Sequence, residues 1–451
     1  MAKAHCPWTP RRYVACSVTG VRYRSRKLIV ATSIVAALYA RPASPQSDGN
    51  AAGDGSNAGA ADAPPPAPIA DASRDEGGWK GTISRMFEGG DDQTFRPTVG
   101  VVVPGSGLSA GAELERGRFG RLGIGAGVDG EWSVHNYQQI GVRAGLLGRR
   151  RRMSGLRASD ASLTSMVDVR RPDERGMAVF VEHRYSRLPS LGLFGIDDTG
   201  EVVRTDFGIR GTTTDLVVQW QLTPSFGIGG RVGRLGVTLF PGTNDDLPNA
   251  EDVFDVTASE LTRKATYVTG GLAAIFDRRD SPKRPTTGGL VSAVLWRYES
   301  RSQPLVSFSR VGFSAEHYHS VGSPRHVLAA RLGGSLDLTG DEGEDIVPFY
   351  LMQSLGGSHS MRSLHSYRLR GGRLLYGIVE SRWTMKKWLE IAPFVDASRV
   401  SRTPVTVGTR RVLVSPGIGA RILFKDRVVF RTDVATGPEG TRFVFALDPS
   451  F

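Results

Sequence analysis

The chain has 451 residues, of which 40 % are hydrophobic and 56 are glycine, and its net charge is +12. Outside the N-terminal region no run approaches the roughly 20 apolar residues that a membrane-spanning helix needs. This argues against a helical membrane protein and leaves a soluble β protein or a membrane β-barrel. The positive charge has no accompanying basic helix, zinc-ligand spacing or aromatic RNA-binding motif, so we expect no nucleic-acid partner.

Cysteine usage excludes further classes. The only two cysteines, Cys6 and Cys16, lie near the N-terminus, where much of the basic excess also lies. The rest of the chain therefore has no disulfide framework and no thiolate metal site. We expect no metal and no cofactor.

The N-terminal region resembles a targeting segment. Residues 1–27 are basic, an apolar run follows at 28–40 (LIVATSIVAALYA), and small residues come next. This order predicts a secretory signal peptide over residues 1–43, cleaved near Ala40 or Ala43. A short anchor helix or a buried core strand is the alternative interpretation of the apolar run.

Two short segments precede the main part of the chain. Residues 44–78 are rich in Ala, Gly, Pro and Asp and predict a disordered linker, because they contain too little apolar surface to offset the entropy of ordering. Residues 79–94 carry Trp79, Ile83 and Met86 at helical spacing. Together with Phe87 they predict a short amphipathic segment that plugs a lumen, lies at an interface or simply packs against the rest.

From about Thr98 onward the sequence alternates with a period of two. Leu216, Val218 and Trp220, for example, alternate with Asp215 and Gln219. Segments of about ten residues with one apolar and one polar or small face are typical of membrane β-barrel strands. The pattern predicts sixteen strands, at 98–116, 120–132, 137–147, 160–170, 176–187, 213–222, 225–235, 264–277, 288–299, 305–318, 326–338, 373–383, 389–397, 411–424, 427–435 and 441–451.

The lengths of the predicted connections support a barrel rather than a sandwich. Connections after even-numbered strands are mostly short, whereas long ones such as 148–159, 236–263 and 339–372 follow odd-numbered strands. Outer-membrane barrels have short periplasmic turns and longer extracellular loops. A sixteen-stranded barrel is too wide for side chains to fill. We therefore expect the apolar faces to meet lipid and the charged faces to line a lumen.

These patterns predict an all-β fold: a transmembrane antiparallel β-barrel of about 16 strands over residues 95–451. Tryptophans near predicted strand ends would form the aromatic girdles of such a barrel at the membrane surfaces. They are Trp132, Trp220, Trp296, Trp383 and Trp388.

Several motifs resemble one known family. The segment 347–383 (VPFYLMQSLGG…MRSL…RLRGGRLLYGIVESRW) resembles the sixth-loop region of the BamA/TamA family, in the bacterial surface antigen superfamily. FDRRDSPKRPTTGG is similar to the family's DxRD…P…G turn, and FVDASRV to one of its strands. The turn residues are Asp277, Arg279, Asp280, Pro285 and Gly288. The C-terminal hairpin carries apolar residues that resemble the family's insertion signal, at Phe443, Phe445, Leu447 and Phe451.

The resemblance implies that the long loop folds into the lumen, where its Arg362 reaches Glu380 and Asp396. Strand parity agrees, because Glu380 and Asp396 fall on the face opposite the apolar residues of their strands. The alternative is a solvated loop arginine. At two positions this chain departs from the family, with Ser363 in place of a glycine and Leu364 in place of an aromatic residue.

The resemblance also implies a function. We expect a non-enzymatic bacterial outer-membrane protein, a short form without POTRA domains, that acts in protein or lipid insertion or translocation. Its expected partners are outer-membrane lipids, lipopolysaccharide and assembly proteins of the periplasm or outer membrane. The alternatives are a passive channel or structural surface antigen and, last, a barrel enzyme with a site at His317–Ser320.

Overall fold

The structure is a computed structural model. It describes residues 95–119, 124–147, 176–194, 203–253, 264–281, 284–302, 307–338, 347–401, 412–424 and 427–447. The predicted signal peptide, linker and amphipathic segment lie outside these residues, as does the predicted strand at 160–170.

The described residues are almost entirely β structure. The first half of the chain forms β1 (Phe95–Gly100), β2 (Ser109–Phe119), β3 (Ile124–Ser133), β4 (Gln138–Leu146), β5 (Gly176–Leu193), β6 (Thr205–Thr223), β7 (Phe226–Pro241), β8 (Lys264–Asp277) and β9 (Gly288–Ser300). A single helical turn, α1 (Ala250–Val253), lies in the connection after β7. None of the described residues belongs to a helix long and apolar enough to cross a membrane.

The second half continues the same sheet. It comprises β10 (Phe308–Ser320), β11 (His326–Leu338), β12 (Gln353–Leu355), β13 (Leu369–Gly371), β14 (Arg373–Lys386), β15 (Leu389–Ser401), β16 (Leu413–Phe424), β17 (Arg427–Gly437) and β18 (Gly440–Ala446). The short strands β12 and β13 pair only with each other, within the long connection between β11 and β14.

Sixteen of these strands form one sheet whose neighbours follow chain order from β1 to β18. Every ladder in it is antiparallel, so successive connections alternate between its two ends. The predicted all-β class and the count of sixteen strands are confirmed.

Two individual strands differ from the prediction. The segment predicted as one strand at 98–116 is two strands, β1 and β2, separated by a turn at 101–108 that contains Gly105 (φ 91°) and Gly107 (φ 71°). The sequence PGSG at 104–107 contains the Pro-Gly and Ser-Gly pairs that mark turns, a signal that the strand assignment passed over. In addition, β4 pairs directly with β5. The prediction put a further strand between these two, at 160–170, a segment outside the described residues.

These differences change which end of the sheet carries the early connections. The β3–β4 turn now lies at the end that carries the long connections after β7 and β11. The β4–β5 connection, which includes the predicted surface loop 148–159, starts and finishes at the opposite end, with the short turns. The predicted placement of the turn 133–136 is therefore wrong, whereas residues 148–159 lie outside the described residues. From β5 onward the predicted alternation agrees with the strand order.

The two faces of the strands differ as predicted. On β14, Leu375 and Val379 are 46 % and 57 % exposed, whereas Glu380 is fully buried. Four of the tryptophans predicted for the girdles are exposed, namely Trp132, Trp220, Trp383 and Trp388. Trp296 is the exception: it points inward, because its neighbour Leu295 takes the exposed position, and Arg231 lies 5.9 Å from its ring.

The long connection between β11 and β14 is enclosed by the sheet. Tyr350 contacts Tyr267 of β8 at 2.9 Å between hydroxyl oxygens, and the Leu351 carbonyl accepts a hydrogen bond from Arg310 of β10 at 2.7 Å. At its far end the Tyr367 hydroxyl donates to the carbonyl of Pro104, in the β1–β2 turn, at 3.1 Å. One segment thus contacts early and late strands, which requires the sheet to curve around it.

Candidate functional site

The most deeply buried charges of the described residues surround Arg362, at the tip of this interior loop. The tip is tight: Gly356 and Gly357 have positive φ angles of 123° and 84°, and the Gly357 N–H donates to the Leu364 carbonyl at 3.1 Å. A side chain at Gly356 would clash with the carbonyl of His365. Glycine is therefore required there, and it lets the chain turn and project Arg362 towards the wall.

Three carboxylates meet the guanidinium of Arg362. Its Nε and Nη2 donate to the two oxygens of Asp396 at 3.0 and 2.6 Å, and Nη1 donates to Glu380 at 2.9 Å. The backbone N–H of Arg362 also donates to Asp396, at 3.0 Å. Asp433 of β17 lies 3.6 Å from Nη1. The structure therefore brings together the three residues that the sequence singled out and adds a fourth.

The remaining surface of Arg362 is covered by an aromatic ring. Its guanidinium carbon lies 3.2 Å from the ring centroid of Phe394, the neighbour of Glu380 on β15. A desolvated guanidinium over an aromatic face is held by a cation–π attraction of up to about 2 kcal/mol. Arg362, Glu380, Asp396 and Asp433 all have fully buried side chains.

Further ion pairs extend the cluster along the wall. The second oxygen of Glu380 accepts from Arg382 at 2.9 Å and from Arg421 at 2.7 Å. Arg421 also donates to Glu390 at 3.0 Å. Glu390 in turn is 3.1 Å from Arg284, in the turn between β8 and β9. Ion pairs thus connect the loop tip to the opposite, short-turn end of the sheet.

The last hairpin contributes residues that the sequence reasoning missed. Arg431 of β17 donates to the carbonyl of Ser358 in the loop at 3.0 Å, and lies 3.5 Å from Asp433. Their two-residue spacing within RTDVATG places both on the inward face of the strand. This alternation could have shown that both side chains face inward, but it could not have identified the residues they contact.

Counted over the described residues, the core of the cluster is balanced in charge. Arg362, Arg382, Arg421 and Arg431 face Glu380, Glu390, Asp396 and Asp433. Balance matters because an uncompensated buried charge costs several kcal/mol. We call these eight residues the Arg362 cluster.

The two departures from the family pattern fit the local packing. Ser363 is fully buried beside Gly437 of β17, where a side chain on the glycine would clash with the serine hydroxyl. Leu364 is 2 % exposed and packs with Met361, Leu369 and other apolar residues of the loop.

A second link joins the loop to the last hairpin. Glu439, in the β17–β18 turn, accepts from the backbone N–H of His365 at 3.1 Å, contacts its ring at 3.0 Å, and accepts from Arg368. Burial opposes ionisation of Glu439, but the hydrogen bonds from His365 and Arg368 prevail and lower its pKa below the ordinary value.

The predicted turn motif forms a compact structure after β8. Arg279 binds the carboxylate of Asp277 at 3.0 Å and Glu316 of β10 at 3.3 Å. The carboxylate of Asp280 accepts from the backbone N–H groups of Ser281 and Thr286, both at 2.9 Å. Burial opposes ionisation of Asp280, but these hydrogen bonds and that of the Thr286 hydroxyl lower its pKa overall.

The other two motif residues shape the same turn. Gly288 has a φ of 91°, and a side chain there would clash with the carbonyl of Arg278. Pro285 is buried, next to the Arg284 that reaches Glu390. The motif thus positions an arginine that ends the chain of ion pairs from the Arg362 cluster.

The predicted C-terminal signal lies on one face of β18 and just beyond it. Phe443 and Phe445 are each 67 % exposed and Leu447 is 39 % exposed. Phe451 lies outside the described residues.

A separate set of inward charges crosses the first half of the sheet. Arg143 of β4 binds Glu113, Glu115 and Asp129, the last two at 2.9 and 3.0 Å. Arg184 of β5 binds Asp129 and Glu182, each at 3.1 Å. Arg231 of β7 then binds Glu182 at 3.4 Å and also Asp215. We call these eight residues the β2–β7 ladder. Sequence reasoning did not single them out.

An antiparallel meander with apolar outer faces and a loop bound inside it defines an outer-membrane β-barrel protein with an interior loop. Residues 172–422, more than half of the chain, match the Omp85 superfamily domain. The chain therefore belongs to the Omp85 superfamily, and it is a bacterial outer-membrane protein. The predicted resemblance to the BamA/TamA family is confirmed.

A solved structure shows the same fold, and two further ones match more weakly. BamA from Haemophilus ducreyi lacking POTRA domains 1–3 matches with a TM-score of 0.54 and 14 % identity, over 78 % of this chain and 70 % of that one. CdiB from Escherichia coli and CdiB from Acinetobacter baumannii match with TM-scores of 0.46 and 0.40 and identities of 13 % and 11 %. In both cases 78 % of this chain is covered, against 62 % and 56 % of the CdiB chains. No curated protein matches the sequence.

Proposed function

We propose that the chain acts in the insertion or translocation of proteins at the outer membrane, and that the Arg362 cluster holds the interior loop in its working position. Membership of the Omp85 superfamily supports the general role. The observation that carries the specific role is the fully buried Arg362, which binds strands β14 and β15 and lies close to Asp433 of β17.

The burial of the cluster favours a conformational role over a merely stabilising one. A buried ion pair gains little net stability, because desolvation of the charges offsets their attraction. It does impose one geometry, since both guanidinium edges must meet carboxylate oxygens. In the proposed role, the loop fixes the β17–β18 hairpin, whose last strand ends the sheet order.

The loop also makes a passive channel the weaker alternative. Phe349, Tyr350 and Tyr367 fill the interior beside β6, β8 and the β1–β2 turn. The activity we propose is non-enzymatic. We also propose export through the signal peptide at 1–43, contact with outer-membrane lipids and lipopolysaccharide, and cooperation with assembly proteins of the periplasm or outer membrane.

The test is depletion of the protein in its own cell, followed by complementation. We expect depletion to lower the amounts of other outer-membrane barrels, measured by quantitative mass spectrometry of membranes. Unaltered chain should restore them and Arg362→Ala should not. Arg184→Ala, which removes an inward arginine bound only to wall carboxylates, is the matched control and should restore them.

The variants must reach the membrane in equal amount for this comparison. If Arg362→Ala does not, Glu380→Gln replaces it, since the amide keeps the size of the side chain. Changed solute permeability with unchanged levels of other barrels would contradict the proposal and support a pore.

A further inference from the structure

The outer face of β5–β8 carries basic residues above its apolar belt. On β6 the outward residues run from Trp220, Val218 and Leu216 to Arg210, which is exposed. Trp220 and Arg210 are ten residues apart, about 33 Å along a strand. At the usual tilt of barrel strands this is about 25 Å along the membrane normal, the height of the apolar band. Arg210 therefore lies at headgroup level when Trp220 lies at the opposite surface.

A second arginine stands directly beside it. Arg187 of β5 is the register partner of Arg210 across the ladder, on the same outward face. Like charges directly opposite each other on neighbouring strands are destabilising. Exposed Lys264 of β8 and Arg234 of β7 add positive charge nearby on this face, and the long stem of Arg234 allows its guanidinium to extend towards the same level.

Among the residues that the structure describes, no carboxylate neutralises Arg187 and Arg210. The outward positions of β5, β6, β7 and β8 at and below the Arg187–Arg210 level contain no Asp or Glu. Asp206, further along β6, is buried and accepts from Ser190 and from the backbone N–H of Asn244. On β9, Glu299 is already bound by Arg297 at 2.7 Å. Arg297 thus faces outward as Arg187 and Arg210 do, but its charge is paired with that of Glu299.

The two guanidinium groups share an aromatic support. Phe240 of β7 lies 5.8 Å from the guanidinium carbon of Arg187 and 5.8 Å from that of Arg210. Its ring lies across Gly208 of β6, where any side chain would clash with it. Nη1 of Arg187 donates to the carbonyl of Asn136 at 3.5 Å, and the contact with the ring face leaves the other N–H groups of both guanidinium groups available to an anion.

From this arrangement we propose that Arg187 and Arg210, supported by Phe240, form a binding site for the phosphate groups of lipopolysaccharide. Both the position of these two arginines and their charge support the proposal. The site continues the lipid-facing belt, so its occupant is a lipid, and its paired guanidinium groups match phosphate oxygens. It lies at the end that carries the long connections, which outer-membrane barrels turn towards the cell surface. This inference rests on the proposed contact with lipopolysaccharide and names its site, but it does not depend on the insertion or translocation activity.

The test measures binding of purified full-length protein in detergent to bisphosphorylated lipid A, its dephosphorylated form and phosphatidylglycerol. We expect the unaltered chain to prefer bisphosphorylated lipid A. The double variant Arg187→Gln/Arg210→Gln should bind it about 25-fold more weakly, because each basic side chain at an anionic lipid surface contributes about a fivefold factor. Arg297→Gln is the matched control and should bind like the unaltered chain.

Folding is checked by heat-modifiable mobility on gels, and Arg187→Lys/Arg210→Lys serves as a second variant that keeps the charge. It should bind more tightly than the glutamine variant. The proposal is overturned if the glutamine variant binds as well as the unaltered chain. Equal binding of dephosphorylated lipid A, preference for phosphatidylglycerol, or equal weakening by Arg297→Gln would also overturn it.

Discussion

The two sets of inward charges, the β2–β7 ladder and the Arg362 cluster, both pair arginines with carboxylates but differ in which elements supply the partners and in how deeply these are buried. In the β2–β7 ladder every partner lies on a strand of the wall, and Glu115, Asp129 and Arg184 keep between 21 % and 27 % of their side-chain surface exposed. In the Arg362 cluster the central arginine comes from the loop, and its carboxylate partners are fully buried. The ladder is therefore partly in contact with water, although its Arg143 and Glu113 are buried, whereas the centre of the cluster is dry.

The difference concerns energy as well as position. Exposed ion pairs contribute about 0–1 kcal/mol each, because water competes for both charges. Removal of one member of a buried pair costs about 3–5 kcal/mol, because it leaves a charge without a partner in a dry site. The same residue types should therefore respond very differently to the same substitution.

The largest expected effect is that of Arg362→Ala. We expect a loss of about 3–5 kcal/mol in the free energy of unfolding, since Glu380 and Asp396 lose their shared cation. Urea titration of protein folded into lipid vesicles measures this loss. The loop should also become a substrate for added protease. An unchanged urea midpoint with a protected loop would favour the solvated-arginine alternative.

Arg184→Ala should have a much smaller effect. Arg184 and its partner Asp129 are both about one-fifth exposed. We expect a loss of about 1 kcal/mol or less in the same titration, and no new protease cleavage in the loop. A loss as large as that of Arg362→Ala would remove the distinction between the two regions.

Glu439→Gln tests a partly exposed contact between the interior loop and the last hairpin. Glu439 keeps 21 % of its side-chain surface, so we expect a loss of about 1 kcal/mol at neutral pH. Because the folded state lowers the pKa of Glu439, its contribution is present above the ordinary value of 4.5 and is lost as the pH falls through the lower folded value. Urea midpoints between pH 7 and pH 3 should therefore converge for variant and unaltered chain. A constant difference across that range would contradict this assignment.

Single cysteines on exposed turns should disturb the structure least. They test which end of the sheet faces the cell exterior. Asn136→Cys and Asp245→Cys should react with a membrane-impermeant maleimide in intact cells, whereas Lys387→Cys should not. Asn136 is decisive because the sequence placed its turn at the periplasmic end and the structure places it with the long connections. Both native cysteines precede residue 17, within the predicted signal peptide. Labelling of Lys387→Cys alone would reverse the orientation.

Sequence reasoning succeeded where the signal is local. Alternation in β14 and β15 identified which residues face inward, because strand side chains alternate strictly between faces. The sixteen-strand count was correct, yet the prediction gave one strand too few at 95–119, and its strand at 160–170 lies outside the described residues. The PGSG sequence at Pro104–Gly107 was a local turn signal that the strand assignment passed over.

Partners were harder to foresee than faces. Arg421 reaches both Glu390, its register partner, and Glu380, two strands away. Register follows from the completed sheet and not from any one strand's pattern. Arg362 itself was found through the family resemblance, because periodicity says nothing about where a long loop ends. Asp433 and Arg431 had the right parity but no sequence signal for their closeness to the loop.

The close fit of Ser363 against Gly437 bears on the order in which this protein is built. The guanidinium of Arg362 is fully enclosed, and the glycine leaves no space beyond the serine hydroxyl. If the loop entered after the last hairpin had docked, the charge of Arg362 would have to cross a dry site without its carboxylate partners. We therefore expect the loop to settle before or together with β17, so that resistance to pulsed protease appears in the loop no later than the heat-modifiable form. Assembly would then proceed around the loop as a template, with the final hairpin as the closing step.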